Sequence, residues 1–353
     1  MREKEKSMKA NIKWLDDPQV FRVNQSNAHS DHVCYATREE VETTSSLKQS
    51  LNGTWRFCYS PNPSVRPKTF YKNDFDACSF DEITVPSHIE LANYDKIHYI
   101  NTMYPWEGHV FRRPPFTTSP EKETEGIFST AKDNPVGSYL TTFRLEESLK
   151  GKQISIHFAG VEQAMFLWLN GHFIGYAEDS FTPSEFDLTP YLEEKNILAV
   201  EVYKRSTAAF LEDQDFFRFF GIFRDVYLVA RGQNHLEDLW IKPRLDDKCQ
   251  NGKLEVDLSF EQVAKNSQLN VAILDPEGKE IYQQQYPLKE QMTIRIDGFE
   301  NVTLWGHFQP NLYKLELETI DEEKRVTEYI DYSFGFRKIE IKDKIIYFNG
   351  KRM

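Results

Sequence analysis

Residues 210–226 read FLEDQDFFRFFGIFRDV. They set four acids (Glu212, Asp213, Asp215, Asp225) and two arginines (Arg218, Arg224) among six phenylalanines. Ordinary core is apolar and an ordinary surface loop is polar. A segment that is both must place charges at the rim of, or inside, an apolar wall. Carboxylates there are costly unless they are paired, hydrogen-bonded or bound to a metal. Two readings compete. A structural Asp–Arg network that closes a sheet accounts for the residues better on chemistry alone, because structural ion pairs also cluster these types. The rival is a site. Glycoside hydrolysis needs two acids about 5–10 Å apart across the scissile bond. Glu212, Asp213 and Asp215 are too local to span a sugar in that way, but they could hold a cation or a sugar hydroxyl.

A second candidate region covers residues 87–137. Its first half carries Tyr94, His98, Tyr99, Asn101, Tyr104, Trp106 and His109, and residues 117–133 form a polar excursion. Loops longer than about 15 residues inside a compact domain are uncommon, and rigid β scaffolds present sites on their loops. An aromatic-pinned structural loop explains the same residues equally well. Elsewhere there is no GxGxxG, Walker loop, HExxH, GxSxG or paired CxxC. The nine histidines include no pair at metal-ligand spacing.

The 353-residue chain carries a net charge of -12. That balance argues against nucleic acid or an anionic membrane as a partner, since both need a basic footprint. Cys34, Cys58, Cys78 and Cys249 lie far apart, which indicates neither a disulfide framework nor a zinc site and fits a reducing, cytoplasmic setting. Residues 1–14 show no apolar signal region, and no apolar run approaches the ~20 residues of a membrane span.

The elements that must position these residues are strands. Residues 1–50 read as an extended arm, pinned by one aromatic anchor at Trp14. An Asn-Gly turn before Trp55, Phe57 and Tyr59 opens a strand, and from Gly137 onward short β-branched and aromatic runs follow one another. Asn170-Gly171 is a type I′ hairpin signal. No βαβ alternation occurs, so residues 51–232 read as a jelly-roll β-sandwich. After the polar break at 231–234, about seven strands fit an immunoglobulin-like sandwich over 233–338. Residues 339–353 read as one hairpin. On residue chemistry alone this is a two-domain all-β protein with a polar, aromatic, carbohydrate-type site.

Several long motifs add a resemblance. The runs WLNGHFIGYAEDSFTPSEFDLTPYL (168–192) and LEDQDFFRFFGIFRDV (211–226) resemble the N-terminal part of the β-galactosidases of glycoside hydrolase family 2. SLNGTWRF (50–57), YINTMYPWEG (99–108), NPVGSY (134–139), LWGHFQPNLY (304–313) and FGFRKIEI (334–341) fall in the family's order. The FRRP element after YPWEG is similar to large-subunit enzymes of Gram-positive bacteria.

The resemblance implies a galactose-binding-like jelly roll, then an immunoglobulin-like sandwich, with residues 339–353 starting a (β/α)8 barrel. The family's acid and nucleophile glutamates lie on that barrel, beyond residue 353. The 353 residues alone are therefore expected to be inactive and to hold no ion stably. The implied full-length enzyme hydrolyses terminal β-D-galactosides with retention and uses sodium and magnesium. Its further domains or a small subunit are the implied partners, in an oligomer. Asp215 resembles the aspartate that touches galactose and ligates sodium, and Asn101 resembles an asparagine that hydrogen-bonds the sugar.

By the same resemblance Glu212 and Asp213 are network residues, and Arg218, Arg224 and Asp225 form supporting ion pairs. Trp168 and Phe173 belong to the core. Lys13, Glu178 and the run TAAF at 207–210 depart from the family pattern and count against its peripheral magnesium sites. A stand-alone carbohydrate-binding module, a β-glucuronidase and a β-mannosidase are the alternatives.

Overall fold

The computed structural model describes residues 9–99, 127–213, 215 and 217–353. The chain divides into two compact units, one drawn from residues 1–27 and 48–230, the other from residues 28–47 and 231–353. Almost all regular structure is antiparallel strand. Among the described residues, no helix is long and apolar enough to cross a membrane.

The first unit is a two-sheet jelly-roll sandwich. Its seven-stranded sheet runs, in spatial order, Arg22–Val23, His172–Ala177, Ala164–Leu169, Asn196–Tyr203, Val136–Phe143, Gly53–Ser60 and Asp81–Val85. Its four-stranded sheet runs Ser184–Asp187, Gln153–Phe158, Val226–Arg231 and Lys48–Ser50. Every residue of Ala164–Leu169 is buried, as befits a central strand covered on both faces. The predicted hairpin forms. Asn170 (φ 50°) and Gly171 (φ 79°) take the two left-handed positions of the turn, and Leu169 faces His172. Gly175 sits where a Cβ would lie 2.3 Å from the Phe186 ring and 2.7 Å from the Val23 carbonyl, so only glycine lets these strands close.

The N-terminal arm is held by more than one aromatic. Leu15 is fully buried, and the Trp14 ring packs 5.5 Å from Tyr176 and 5.9 Å from Phe166. Arg22–Val23 adds a strand to the large sheet. Asp16 accepts the Phe128 and Ser129 amides at 2.5 and 3.1 Å.

The second unit is an immunoglobulin-like sandwich of a three-stranded and a five-stranded sheet. The first contains His235–Leu245, Gly252–Glu261 and Gln291–Phe299. The second runs Cys34–Tyr35, Val326–Phe334, Tyr313–Ile320, Gln268–Leu274 and Glu280–Pro287. Gly252–Glu261 alternates buried and more exposed residues, the signature of a strand with one face on a core. The arm contributes here too, since Cys34–Tyr35 pairs with Val326–Phe334. The last residues form more than the single expected hairpin. Ile339–Lys342 and Ile345–Phe348 pair, and a third strand, Lys351–Arg352, turns back at Asn349 and Gly350, both at positive φ.

Candidate functional site

The two regions singled out in the sequence meet in the first unit. Phe217–Arg218 forms a short strand antiparallel to His98–Tyr99, with Phe217 opposite Tyr99. The pairing sets the Tyr99 and Phe217 rings 5.5 Å apart, both about half exposed. The Tyr99 hydroxyl donates to Asp215 Oδ1 at 2.5 Å. That bond to the carboxylate is the main reason the Tyr99 hydroxyl titrates above its ordinary value. Asp215 itself is exposed. An outward carboxylate beside two aromatic rings can bind hydroxyl groups or a hard cation.

Its neighbours in the acidic run turn elsewhere. The Asp213 side chain is buried and pairs with the Arg218 guanidinium. Burial still outweighs the arginine and raises the Asp213 carboxyl to about 6. Glu212 accepts the Ser180 amide at 3.0 Å and the Ser180 hydroxyl at 2.6 Å. Both act as network residues, as the resemblance implies. Arg218 makes an ion pair, whereas Arg224 and Asp225 have none, contrary to expectation, among the described residues. Arg224 donates to the Phe181 carbonyl at 2.7 Å, and Asp225 accepts from the Asn52 amide at 2.9 Å.

Behind the loop sits a buried charge centre. Lys204 bridges Glu90 at 2.6 Å and Asp95 at 2.7 Å, and Glu90 also accepts the Phe220 amide at 3.1 Å. This ties the acidic run to the loop after Val85. Glu162 lies on the short strand Val161–Glu162. Burial, then the negative charges of Glu90 and Glu212, raises its carboxyl to about 8. Sequence reasoning overlooked Tyr99 as a partner of Asp215, and also Glu162 and Lys204. The one available signal was a charge in or beside an apolar run, as in IEL around Glu90 and VEVY before Lys204.

Asn101, the other expected site residue, lies outside the described residues, as do Tyr104, Trp106 and His109. Trp168 belongs to the core cluster, stacked 4.8 Å from Tyr71, and the partly buried Phe173 packs against it. Glu178 is buried and accepts from the Tyr176 hydroxyl and, at 3.2 Å, the Ala208 amide.

Comparison with known proteins bears on this geometry directly. The model of the glycosyl hydrolases family 2 sugar binding domain matches residues 48–232, more than half the chain. The chain belongs to glycosyl hydrolases family 2. A second model of the same family matches residues 234–337.

Among the relatives of this family 2 chain, the beta-galactosidase large subunit of Latilactobacillus sakei is 55% identical, over 98% of this chain and 55% of its own length. The beta-galactosidase of Clostridium acetobutylicum is 47% identical over 98% of this chain and 37% of its own length. The chain thus spans about half the length of the large subunits it matches. The beta-glucuronidase of Bifidobacterium dentium, a solved structure, aligns with a TM-score of 0.64 at 18% identity, over 93% of this chain and 51% of its own. That of Bacteroides uniformis aligns with a TM-score of 0.62 at 21% identity, over 86% of this chain and 34% of its own. Likeness at that identity speaks for the fold.

Proposed function

We propose that this chain is the N-terminal, non-catalytic region of a retaining β-galactosidase that hydrolyses terminal β-D-galactosides, lactose among them. The observation that carries the reading is 55% identity across 98% of the chain to a beta-galactosidase large subunit. The acid and nucleophile glutamates belong to a barrel that follows residue 353, and the 353 residues alone hydrolyse nothing. The domain limits are an arm to residue 50, the jelly roll to 232, the immunoglobulin-like sandwich to 338 and the start of the barrel thereafter. The remaining domains or a small subunit complete an oligomeric enzyme in the cytoplasm, where its four free cysteines stay reduced.

Within that enzyme Asp215 contacts the sugar and offers an oxygen to sodium. The fit rests on its exposure and on Tyr99 bonding one of its two carboxylate oxygens, which among the described residues leaves the other as a hard ligand for a hard cation. Bound there, the ion supplies charge that orients a sugar hydroxyl. Tyr99 holds the carboxylate in place. Asn101 supplies an amide that both donates to and accepts from hydroxyls. Magnesium is the second ion of the full-length enzyme.

The test compares hydrolysis of a chromogenic β-galactoside by the 353-residue chain and by a chain extended through the barrel. Activity confined to the longer chain is expected, and robust activity of the short chain would overturn the reading. Selective turnover of a chromogenic β-glucuronide or β-mannoside would change the assigned substrate. Galactose binding by the short chain would favour a stand-alone module. In the longer chain, Asp215→Ala is expected to raise KM for the galactoside and to abolish the sodium response. Unchanged kinetics and sodium dependence would remove Asp215 from the site.

A further inference from the structure

The second unit buries a thiol, an imidazole and a carboxylate together, far from the acidic run in sequence. Cys34 lies on the short strand from the arm, His235 opens the strand His235–Leu245, and Glu328 lies on Val326–Phe334. All three are at most 9% exposed, and one ligand atom from each lies within 4.8 Å of the others. His235 Nδ1 is 2.8 Å from a Glu328 carboxylate oxygen and 4.0 Å from Cys34 Sγ.

We propose that Cys34, His235 and Glu328 form a structural site for a zinc-class divalent cation that clips the arm segment onto the immunoglobulin-like sandwich. The donor set of thiolate, imidazole and carboxylate is one zinc accepts. A tetrahedral ion with bonds of about 2.0–2.3 Å holds its ligand atoms about 3.3–3.7 Å apart, so shifts of about half an ångström to one ångström convert the present spacing. Three protein ligands leave a fourth position for water.

Two further features favour an ion over a bare hydrogen-bonded triad. The far nitrogen of His235, Nε2, faces the Glu237 carboxylate at 3.7 Å. A ligating histidine typically directs its second ring N–H to such a carboxylate, and closure by about half an ångström would bring Nε2 within hydrogen-bond reach of Glu237. The Leu236 amide donates to the second Glu328 oxygen at 2.8 Å and orients that carboxylate. Among the described residues, Arg231 faces Glu237 at 2.5 Å and Glu261 at 3.4 Å, and both His235 and His32 lie beside Glu328. Binding displaces the thiol proton to solvent, moves the His235 proton from Nδ1 to Nε2 and leaves a thiolate on the metal, so affinity rises with pH.

The test titrates the chelator-treated 353-residue chain with cobalt(II) and reads the thiolate-to-cobalt charge-transfer band. One equivalent per chain is expected, with the band lost in Cys34→Ala and kept in Cys249→Ala. No band on the folded chain at excess cobalt overturns the proposal, as does a band that survives Cys34→Ala. Should Cys34→Ala fail to fold, Glu237→Gln decides. It is expected to weaken cobalt binding by about 10–100-fold, the usual effect of losing such an outer partner, and unchanged affinity overturns the site.

Discussion

Replacing Glu178 with glutamine should stabilise the first unit near neutral pH and flatten its pH dependence. Glu178 is 2% exposed and has three donors at its carboxyl: the Tyr176 hydroxyl, the Ala208 amide and the Thr207 hydroxyl. Burial still dominates and raises the group from an ordinary 4.5 to about 8. A carboxyl raised on folding contributes stability that is fully present below its unfolded pKa. That stability is lost as pH climbs toward the folded pKa, because the unfolded chain ionises first. The window therefore runs from pH 4.5 to about 8.

At about pH 7 the wild-type chain has lost roughly 3 kcal/mol through this group, at about 1.4 kcal/mol per pH unit. Glutamine is neutral throughout and nearly the same size, but its amide cannot reproduce every hydrogen bond, a loss of about 1 kcal/mol. The net expectation is a gain of about 2 kcal/mol at about pH 7, or about 4–8 °C in melting temperature for a unit of this size. Below about pH 4.5 the sign reverses, and the variant is the less stable by about 1 kcal/mol. Urea unfolding followed by tryptophan fluorescence suits the question, since Trp14 packs on Tyr176, the partner of Glu178. Parallel stability curves for the two proteins across that window would refute the reasoning. They would mean that Glu178 titrates alike in the folded and unfolded chain.

Asp213→Ala removes the carboxylate that pairs with the buried Arg218 guanidinium and should cost about 3–5 kcal/mol in urea unfolding, with Asp213→Asn costing less. Lys204→Met removes the cation between Glu90, whose side chain is fully buried, and Asp95. Its destabilisation, also about 3–5 kcal/mol, should be largest at alkaline pH and ease on acidification as Glu90 takes up a proton. A loss independent of pH would argue that packing, not charge, is at stake. Gly175→Ala drives a methyl into the Phe186 ring and the Val23 carbonyl and should lower stability by about 1–3 kcal/mol. A neutral result by calorimetry would show that the edge strand Arg22–Val23 yields easily.

The all-β character, the hairpin at Asn170-Gly171 and the two sandwiches were legible in the chain because they depend on local features. Side-chain alternation, β-branched runs and a turn needing two left-handed residues act over a few positions. The long ordered motifs were equally legible and pointed to family 2. The fate of each charge was not. Three acids stand within four positions, at Glu212, Asp213 and Asp215, and nothing local says which is buried against arginine and which faces outward. That division follows from the pairing of Phe217–Arg218 with His98–Tyr99, a contact across more than 100 residues. Cys34 and His235 are 201 residues apart, and His235 and Glu328 are 93 apart. No spacing rule could join them. The free energy of a charged or ligating group depends on solvent access and on partners brought from distant strands. The sequence alone determined which elements form, and only the tertiary structure decided which polar side chains they bring together and which they leave exposed.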